Sequence, residues 1–284
     1  MSYTASVAGH RVTVGPLPEW IVDTSLLCCL GAKWVTVEAS HAGIWQRAEL
    51  AREVAADLAE RLRGQGFAGL ELSVVVDPPL ARGVVRGARL TAARGRRKRT
   101  QAWRSGVRLD GEGKFSWTAD DLALSIGELA EGRSVLDAGC GAGGNTIGFA
   151  RAGSSVMAVE QDRARIDMAI HNVGIYGVRD QVQFVLGDAA REMNRGGRDI
   201  LFVDPPWGGE SYDRKCFDLS SLSLFQMAMD CRGSYEEVWA KFPASADTRQ
   251  LAKFPGQLPP VAFFGTGPSD CFRVKFVLIR FRTI

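Results

Sequence analysis

The spacing of apolar positions changes near residue 100 and divides the chain into two unequal parts. In the first part, residues 10–14 alternate apolar and polar as a short strand does, and residues 32–38 (AKWVTVE) alternate again. Residues 19–30 have the spacing of a helix. Leu50, Val54, Leu58 and Leu62 recur every four positions, the stripe of an amphipathic helix over residues 46–63. The glycine-bearing stretch 64–69 ends it, and residues 70–76 read as a strand stopped by Pro78 and Pro79. Together these elements predict a small α+β domain over residues 1–95.

The second part, residues 96–284, is regular. Short apolar strands are predicted at 134–138, 155–160, 182–186 and 199–203, with helices at 145–152 and 163–176 between them. Strands alternating with helices at this interval mean an α/β fold with a mostly parallel, doubly wound, Rossmann-like sheet. Residues 261–265 and 271–281 close it, as an antiparallel edge hairpin joined through 266–270.

Chemistry gathers where those strands end. The run VLDAGCGAGGNT (135–146) takes a strand into Asp137, then through Gly139, Gly141, Gly143 and Gly144 into a helix that opens with Asn145 and Thr146. Glycines let backbone approach a ligand closely, and the first turn of a helix offers unpaired N–H groups. A carboxylate directly after the strand suits a zwitterionic amino-acid head better than a diphosphate. Glu160, at the end of the next strand, is placed to accept both ribose hydroxyls of an adenosine. Asp188, after the third strand, suits an adenine amine, although an acid at that place also serves as a helix cap.

The fourth strand runs into Asp204-Pro205-Pro206-Trp207, a rigid turn. The lone pair of an amine attached to a purine ring is delocalised into the ring and is a poor nucleophile. Acceptors on its two N–H groups, here the Asp204 carboxylate and the Pro205 carbonyl, draw it toward tetrahedral geometry. Trp207 offers a flat face for a base. These residues predict methyl transfer from S-adenosylmethionine to an exocyclic amine.

Composition narrows the setting more than the activity. The chain has 284 residues, 46% hydrophobic and 24% charged, and a net charge of +3, values ordinary for a globular protein with a core. Its apolar runs fall short of the roughly 20 residues that span a bilayer, and its N-terminus lacks the pattern of a secretion signal. The six cysteines include no C-x-x-C pair and the three histidines are scattered, so no metal is expected and a reducing, intracellular setting is. Arg86, Arg89, Arg94, Arg96, Arg97, Lys98, Arg99 and Arg104 crowd one stretch, either a solvated connector or a strip that contacts phosphates or serves as a nuclear import signal.

Three segments together resemble the trimethylguanosine synthase family, the RNA cap guanine-N2 methyltransferases. They are GVRLDGEGKFSWT (106–118), LDAGCGAGGNTIGFA (136–150) and VDPPWGG (203–209), with HNVGIYGVRDQVQFVLGD (171–188) and Phe217-Asp218-Leu219 alongside. The resemblance implies a seven-stranded class I methyltransferase sheet and S-adenosylmethionine as cofactor. It also implies an RNA or guanine nucleotide substrate, with Trp207 stacked on a cationic 7-methylguanine and Tyr212 beside it. Phe115, Ser116 and Thr118 would form a lid over the cofactor. The setting it implies is nuclear in a eukaryote and cytoplasmic in a bacterium. Asp204 stands where the family commonly has Ser, and Ala244 where it usually has Arg, with Arg249 close by. Residues 1–80 match nothing in the family. Two other readings stay open: methylation of another exocyclic amine, in ribosomal RNA, DNA or a purine-like metabolite, and a nucleotide-binding module without catalysis.

Overall fold

The computed structural model describes residues 9–21, 27, 30, 32, 35–97, 103–209, 212–266, 271 and 273–283. Most of the helix expected at 19–30, the joining residues 267–270 and Lys98 and Arg99 of the basic run lie outside these.

The N-terminal part is built on β1 (His10–Leu17), β2 (Val35–Ser40), β3 (Gly43–Leu50), the two-residue strands β4 (Gly66–Phe67) and β5 (Leu70–Glu71), and β6 (Ser73–Asp77). Four of these form one antiparallel sheet in the order β2-β3-β1-β6. Helix α1 (Arg52–Leu62) buries Ala55, Ala56, Leu58 and Leu62, and α2 (Arg82–Arg97) packs on α1, with Arg89 paired to Glu60 at 3.1 Å.

The helix expected from residue 46 starts only at Arg52. Gly43, at φ +126°, turns β2 into β3, and Gln46, Ala48 and Leu50 are buried at every second position. Leu50 fits a period of two as well as a period of four. Pairing with β1 on one side and β2 on the other decides for the strand. The basic run, for its part, begins as a helix: α2 carries it as far as Arg97.

The C-terminal sheet has seven strands: β7 (Val135–Ala138), β8 (Val156–Glu160), β9 (Val182–Leu186), β10 (Ile200–Val203), β11 (Glu237–Pro243), β12 (Val261–Phe264) and β13 (Val274–Arg282). Their order is β12-β13-β11-β10-β7-β8-β9. Strands β7 to β11 run parallel to their neighbours among themselves, and β13 runs antiparallel between β11 and β12. The edge hairpin therefore forms as the alternation predicts. Strand β11 is the one that local pattern conceals: all its residues are buried, so it shows no alternation, and Lys241 interrupts its apolar run.

Helices α3 (Gly113–Ser116), α4 (Asp120–Glu128), α5 (Gly144–Arg151), α6 (Arg163–Ile175), α7 (Ala189–Arg195) and α8 (Ser223–Asp230) complete the part. One apolar cluster joins α4, α5 and α6 to one face of the sheet through Ile126, Phe149 and Val173 against Val135, Ile200 and Phe202. The opposite face carries Leu136, Leu201, Val203 and Phe242. It packs α7 and α8 and is continuous with Val12, Leu17, Leu58 and Phe67 of the N-terminal sheet. The turn between β4 and β5 makes the seam. Gly66 N–H donates to the Arg214 carbonyl at 2.6 Å and Ala68 N–H to the Ala244 carbonyl at 2.7 Å, and Glu71 pairs with Lys215 at 2.9 Å.

Candidate active site

In an open parallel sheet the crevice for a ligand lies where the strand order reverses, beyond the carboxyl ends of the strands. Here that place is between β7 and β10, and the predicted residues converge on it. The glycine loop leaves β7 with Gly139 at φ +86°, Gly141 at φ +56° and Gly143 at φ +91°. Two of these glycines do different jobs. A Cβ on Gly143 would sit 3.2 Å from that of Ala169 on α6, whereas one on Gly141 would meet nothing within 4 Å. Gly143 allows helix packing, and Gly141 faces open space.

Glu160 anchors the loop. Its Oε2 accepts from Gly141 N–H and its Oε1 from Asp162 N–H, both at 2.9 Å. Asp137 is only 1% exposed and accepts the Thr146 hydroxyl at 2.5 Å. Burial, the largest influence, and the charges of Asp204 and Glu160 raise its pKa to about 7, against the Thr146 bond and the Lys241 charge. Burial also pushes the Cys140 thiol well above its ordinary value, with the Asp137 charge adding to it. Asp188 caps α7, its Oδ1 accepting from Ala190 N–H at 2.9 Å.

Residues 104–118 are strapped to α6. Asn172, fully buried, donates to the carbonyls of Arg108 and Ala142 and accepts Arg108 N–H. Arg165 pairs with Asp110 and Glu112. Trp117 then crosses the start of α5, close enough that a Cβ on Gly144 would sit 3.4 Å from its ring. Phe115 and Ser116 are exposed on α3, whereas Thr118 is buried.

The loop after β10 meets this assembly through side chains. Asn145, the second residue of α5, donates from Nδ2 to Asp204 Oδ2 at 2.9 Å. Lys241, reaching in from β11, donates to the same oxygen at 2.5 Å and to the Thr118 hydroxyl at 2.8 Å. Its ammonium lies 5.1 Å from the centre of the Trp207 ring and 4.9 Å from that of Phe276. Trp207 meets Tyr212 edge to face at 6.0 Å, Tyr212 meets Phe217 at 6.1 Å, and Arg214 covers Tyr212. Pro205 is buried and Pro206 exposed. Arg249 is held by Asp247 through two bonds of 2.7 and 2.8 Å.

The structure thus brings together Asp137, Gly141, Asn145, Thr146, Glu160 and Asp204, with Trp207 and Tyr212 as one aromatic group beside them. It leaves Phe115 and Ser116 exposed on α3, and Asp188 engaged as a cap. Sequence reasoning missed Lys241; the signal was a lysine inside VWAKFP, where a buried strand has no use for a charge unless it is paired. Two features fit a cofactor with an amino-acid end and an adenosine end. Open space lies before Gly141, whose N–H is held by Glu160, and Asn145 Oδ1 is buried without a partner among the described residues.

Strand order and site together make this protein a class I S-adenosylmethionine-dependent methyltransferase. The sequence model of the RNA cap guanine-N2 methyltransferases matches residues 132–259. Trimethylguanosine synthase of Schizosaccharomyces pombe is 31% identical over 163 residues, 52% of this chain and 68% of that protein. The trimethylguanosine synthase of Saccharomyces cerevisiae is 27% identical over 154 residues, 49% of each chain. The chain belongs to this family, and it spans about two thirds of the fission yeast relative and half of the budding yeast one. Among solved structures, an S-adenosylmethionine-dependent methyltransferase from Agrobacterium tumefaciens aligns with a TM-score of 0.45 at 14% identity, over 59% of this chain and 63% of that one.

Proposed function

We propose that the chain transfers methyl groups from S-adenosylmethionine to the exocyclic N2 amine of guanine in a 7-methylguanosine RNA cap. The observation that carries this reading is the Asn145–Asp204 bond, which sets the D-P-P-W turn directly beside the glycine loop. Bound there, the cofactor supplies an electrophilic methyl group on a positively charged sulfur. Asp137 holds its ammonium end, the loop from Gly139 to Thr146 its amino-acid backbone, and Glu160 its ribose hydroxyls. Asp188 lies on the adenine side, and Phe115, Ser116 and Thr118 form a lid over the cofactor.

The acceptor is held by the opposite wall. Trp207, with Tyr212 behind it, stacks the base; a cationic 7-methylguanine gains attraction to the indole beyond ordinary stacking. Asp204 takes one N–H of the N2 amine and the Pro205 carbonyl the other, with Pro206 stiffening the turn. With the cofactor bound, the nitrogen lone pair would form the new N–C bond as the S–C bond breaks with its electron pair left on sulfur, and the proton lost by the amine would pass to water. The RNA body follows α2, where Arg82, Arg86 and Arg89 are exposed, so residues 1–95 act as a substrate-side domain.

A second acceptor within the same chemistry, an exocyclic amine outside a cap, is favoured by one observation. Ala244 replaces the family's arginine, and Arg249 is already bound by Asp247. Methyl transfer from radiolabelled S-adenosylmethionine to m7GDP, GDP and bulk RNA separates the two. The cap reading expects label on m7GDP, reduced ~100-fold or more in Asp204→Ala. Label on GDP or bulk RNA with none on m7GDP would reject it.

A further inference from the structure

Lys241 lies outside the motifs that carry the family resemblance. Its side chain is 4% exposed, and its ammonium touches two oxygens, Asp204 Oδ2 and Thr118 Oγ1, on two different segments. One segment is the turn that would hold the acceptor and the other is the end of the lid. A buried ammonium persists only where its partners compensate for lost hydration. Both contacts and the two aromatic rings around it meet that condition, so its place is set from four sides.

We infer that Lys241 is a positioning residue for methyl transfer: it fixes which oxygen of Asp204 faces the acceptor and latches the lid to the acceptor turn. This rests on the N-methyl transfer reading above. Asn145 and Lys241 both donate to Oδ2, so that oxygen is committed inward from two directions. Oδ1 takes the amine N–H, and its orientation about the Cβ–Cγ bond is no longer free. Through Thr118 the same ammonium ties that orientation to the lid strapped across α5, so the acceptor oxygen is aimed when the lid is down. A serine at position 204 would present no carboxylate for Lys241 to orient.

The test uses the full chain in four forms: wild type, Lys241→Met, Asp204→Ser, and Asp204→Ser with Lys241→Met. With m7GDP as acceptor, Lys241→Met lowers kcat by ~30-fold or more while KM stays within ~3-fold, because misaiming acts on the transition state. In the Asp204→Ser background the same change costs no more than ~3-fold, since coupled residues are not additive. The double variant buries no unpaired charge and guards against a simple folding failure. An equal loss of kcat in both backgrounds, or no loss in either, overturns the inference. Hydrogen exchange at the Trp117 and Thr118 amides, with S-adenosylhomocysteine bound, probes the latch whatever the acceptor proves to be. Exchange ~10-fold faster in Lys241→Met is expected, and unchanged exchange overturns the inference even if wild type labels no cap analogue. Absence of transfer to m7GDP by wild type, with faster exchange in the variant, rejects the cap reading and keeps the latch.

Discussion

The two walls of the proposed active site are assembled in different ways. The proposed cofactor wall is written in one stretch of chain, Asp137 to Asp188, where each strand delivers a carboxylate at or near its end. Backbone N–H groups do most of the fixing, Gly141 and Asp162 onto Glu160 and Ala190 onto Asp188, joined by the Thr146 hydroxyl onto Asp137. The acceptor wall is assembled from distant pieces. Lys241 joins Asp204 across 37 residues and Thr118 across 123, and the turn between β4 and β5 reaches from the N-terminal sheet to Arg214 and Ala244. A wall fixed by backbone demands particular residues at fixed intervals. A wall fixed by side chains demands only that the fold bring complementary groups together.

If the walls are separable, the largest effect on cofactor alone comes from Glu160→Ala. That change removes the acceptor for two backbone N–H groups and, in the proposed mode, for the ribose hydroxyls. Loss of charged hydrogen bonds of this kind predicts ~100-fold weaker binding of S-adenosylhomocysteine by calorimetry. The acceptor KM, measured at saturating cofactor, should stay within ~3-fold, because the Glu160 carboxylate bonds to Gly141 and Asp162, both on the cofactor side. A parallel rise in acceptor KM would mean the walls are one unit.

The same contrast governs what the sequence revealed. Strands β7 to β10, the glycine loop and its carboxylates were legible because each feature is local: an apolar run, a glycine at positive φ, an acid at a strand end. The edge hairpin of β12 and β13 was legible from alternation. Strand β11 and Lys241 were not, since total burial erases the period of two and a lone lysine carries meaning only once Asp204 is beside it. Leu50 belongs to both periods, so the spacing alone predicts a helix from residue 46, and pairing with β1 and β2 makes this segment strand β3 instead. The motif at residues 204–207 is the exception on the acceptor wall. It is legible because its chemistry sits in consecutive residues.

A smaller effect should fall on the acceptor wall through the N-terminal sheet. A Cβ on Gly66 would lie 1.7 Å from the Lys215 carbonyl oxygen and 2.4 Å from its carbon, both backbone atoms that cannot swing aside. Gly66→Ala therefore forces the turn between β4 and β5 off residues 213–217, the segment that carries Arg214 against Tyr212. Overpacking of this size predicts a melting temperature lower by roughly 3–10 °C. Acceptor KM should rise by ~10-fold, with cofactor affinity within ~2-fold, as displaced stacking costs the base and not the adenosine. Equal loss on both sides would show that the N-terminal sheet supports the whole domain, not the acceptor wall alone.

The walls meet electrically at Asp137, and that contact supplies the finest test. Its pKa is raised to about 7, chiefly by burial and in part by the Asp204 charge from the acceptor wall. A carboxyl whose folded pKa lies above its unfolded value near 4 binds its proton more tightly when folded. Its contribution to stability is thus full below the unfolded pKa and is lost as pH rises to about 7. Cofactor binding has the opposite sense, because the ammonium end needs the carboxylate ionised. Affinity for S-adenosylhomocysteine should therefore fall as pH drops below about 7, approaching ~10-fold per unit, and Asp137→Asn should bind weakly without that slope. Asp204→Asn removes a neighbouring negative charge and leaves the Lys241 ammonium uncompensated, and both changes favour ionised Asp137. The inflection in cofactor binding should then move to lower pH, although the substituted residue belongs to the acceptor wall. Calorimetric titrations of wild type and Asp204→Asn across pH 5 to 8 would read that shift; coincident curves would mean that the two walls share a crevice but no electrostatic coupling.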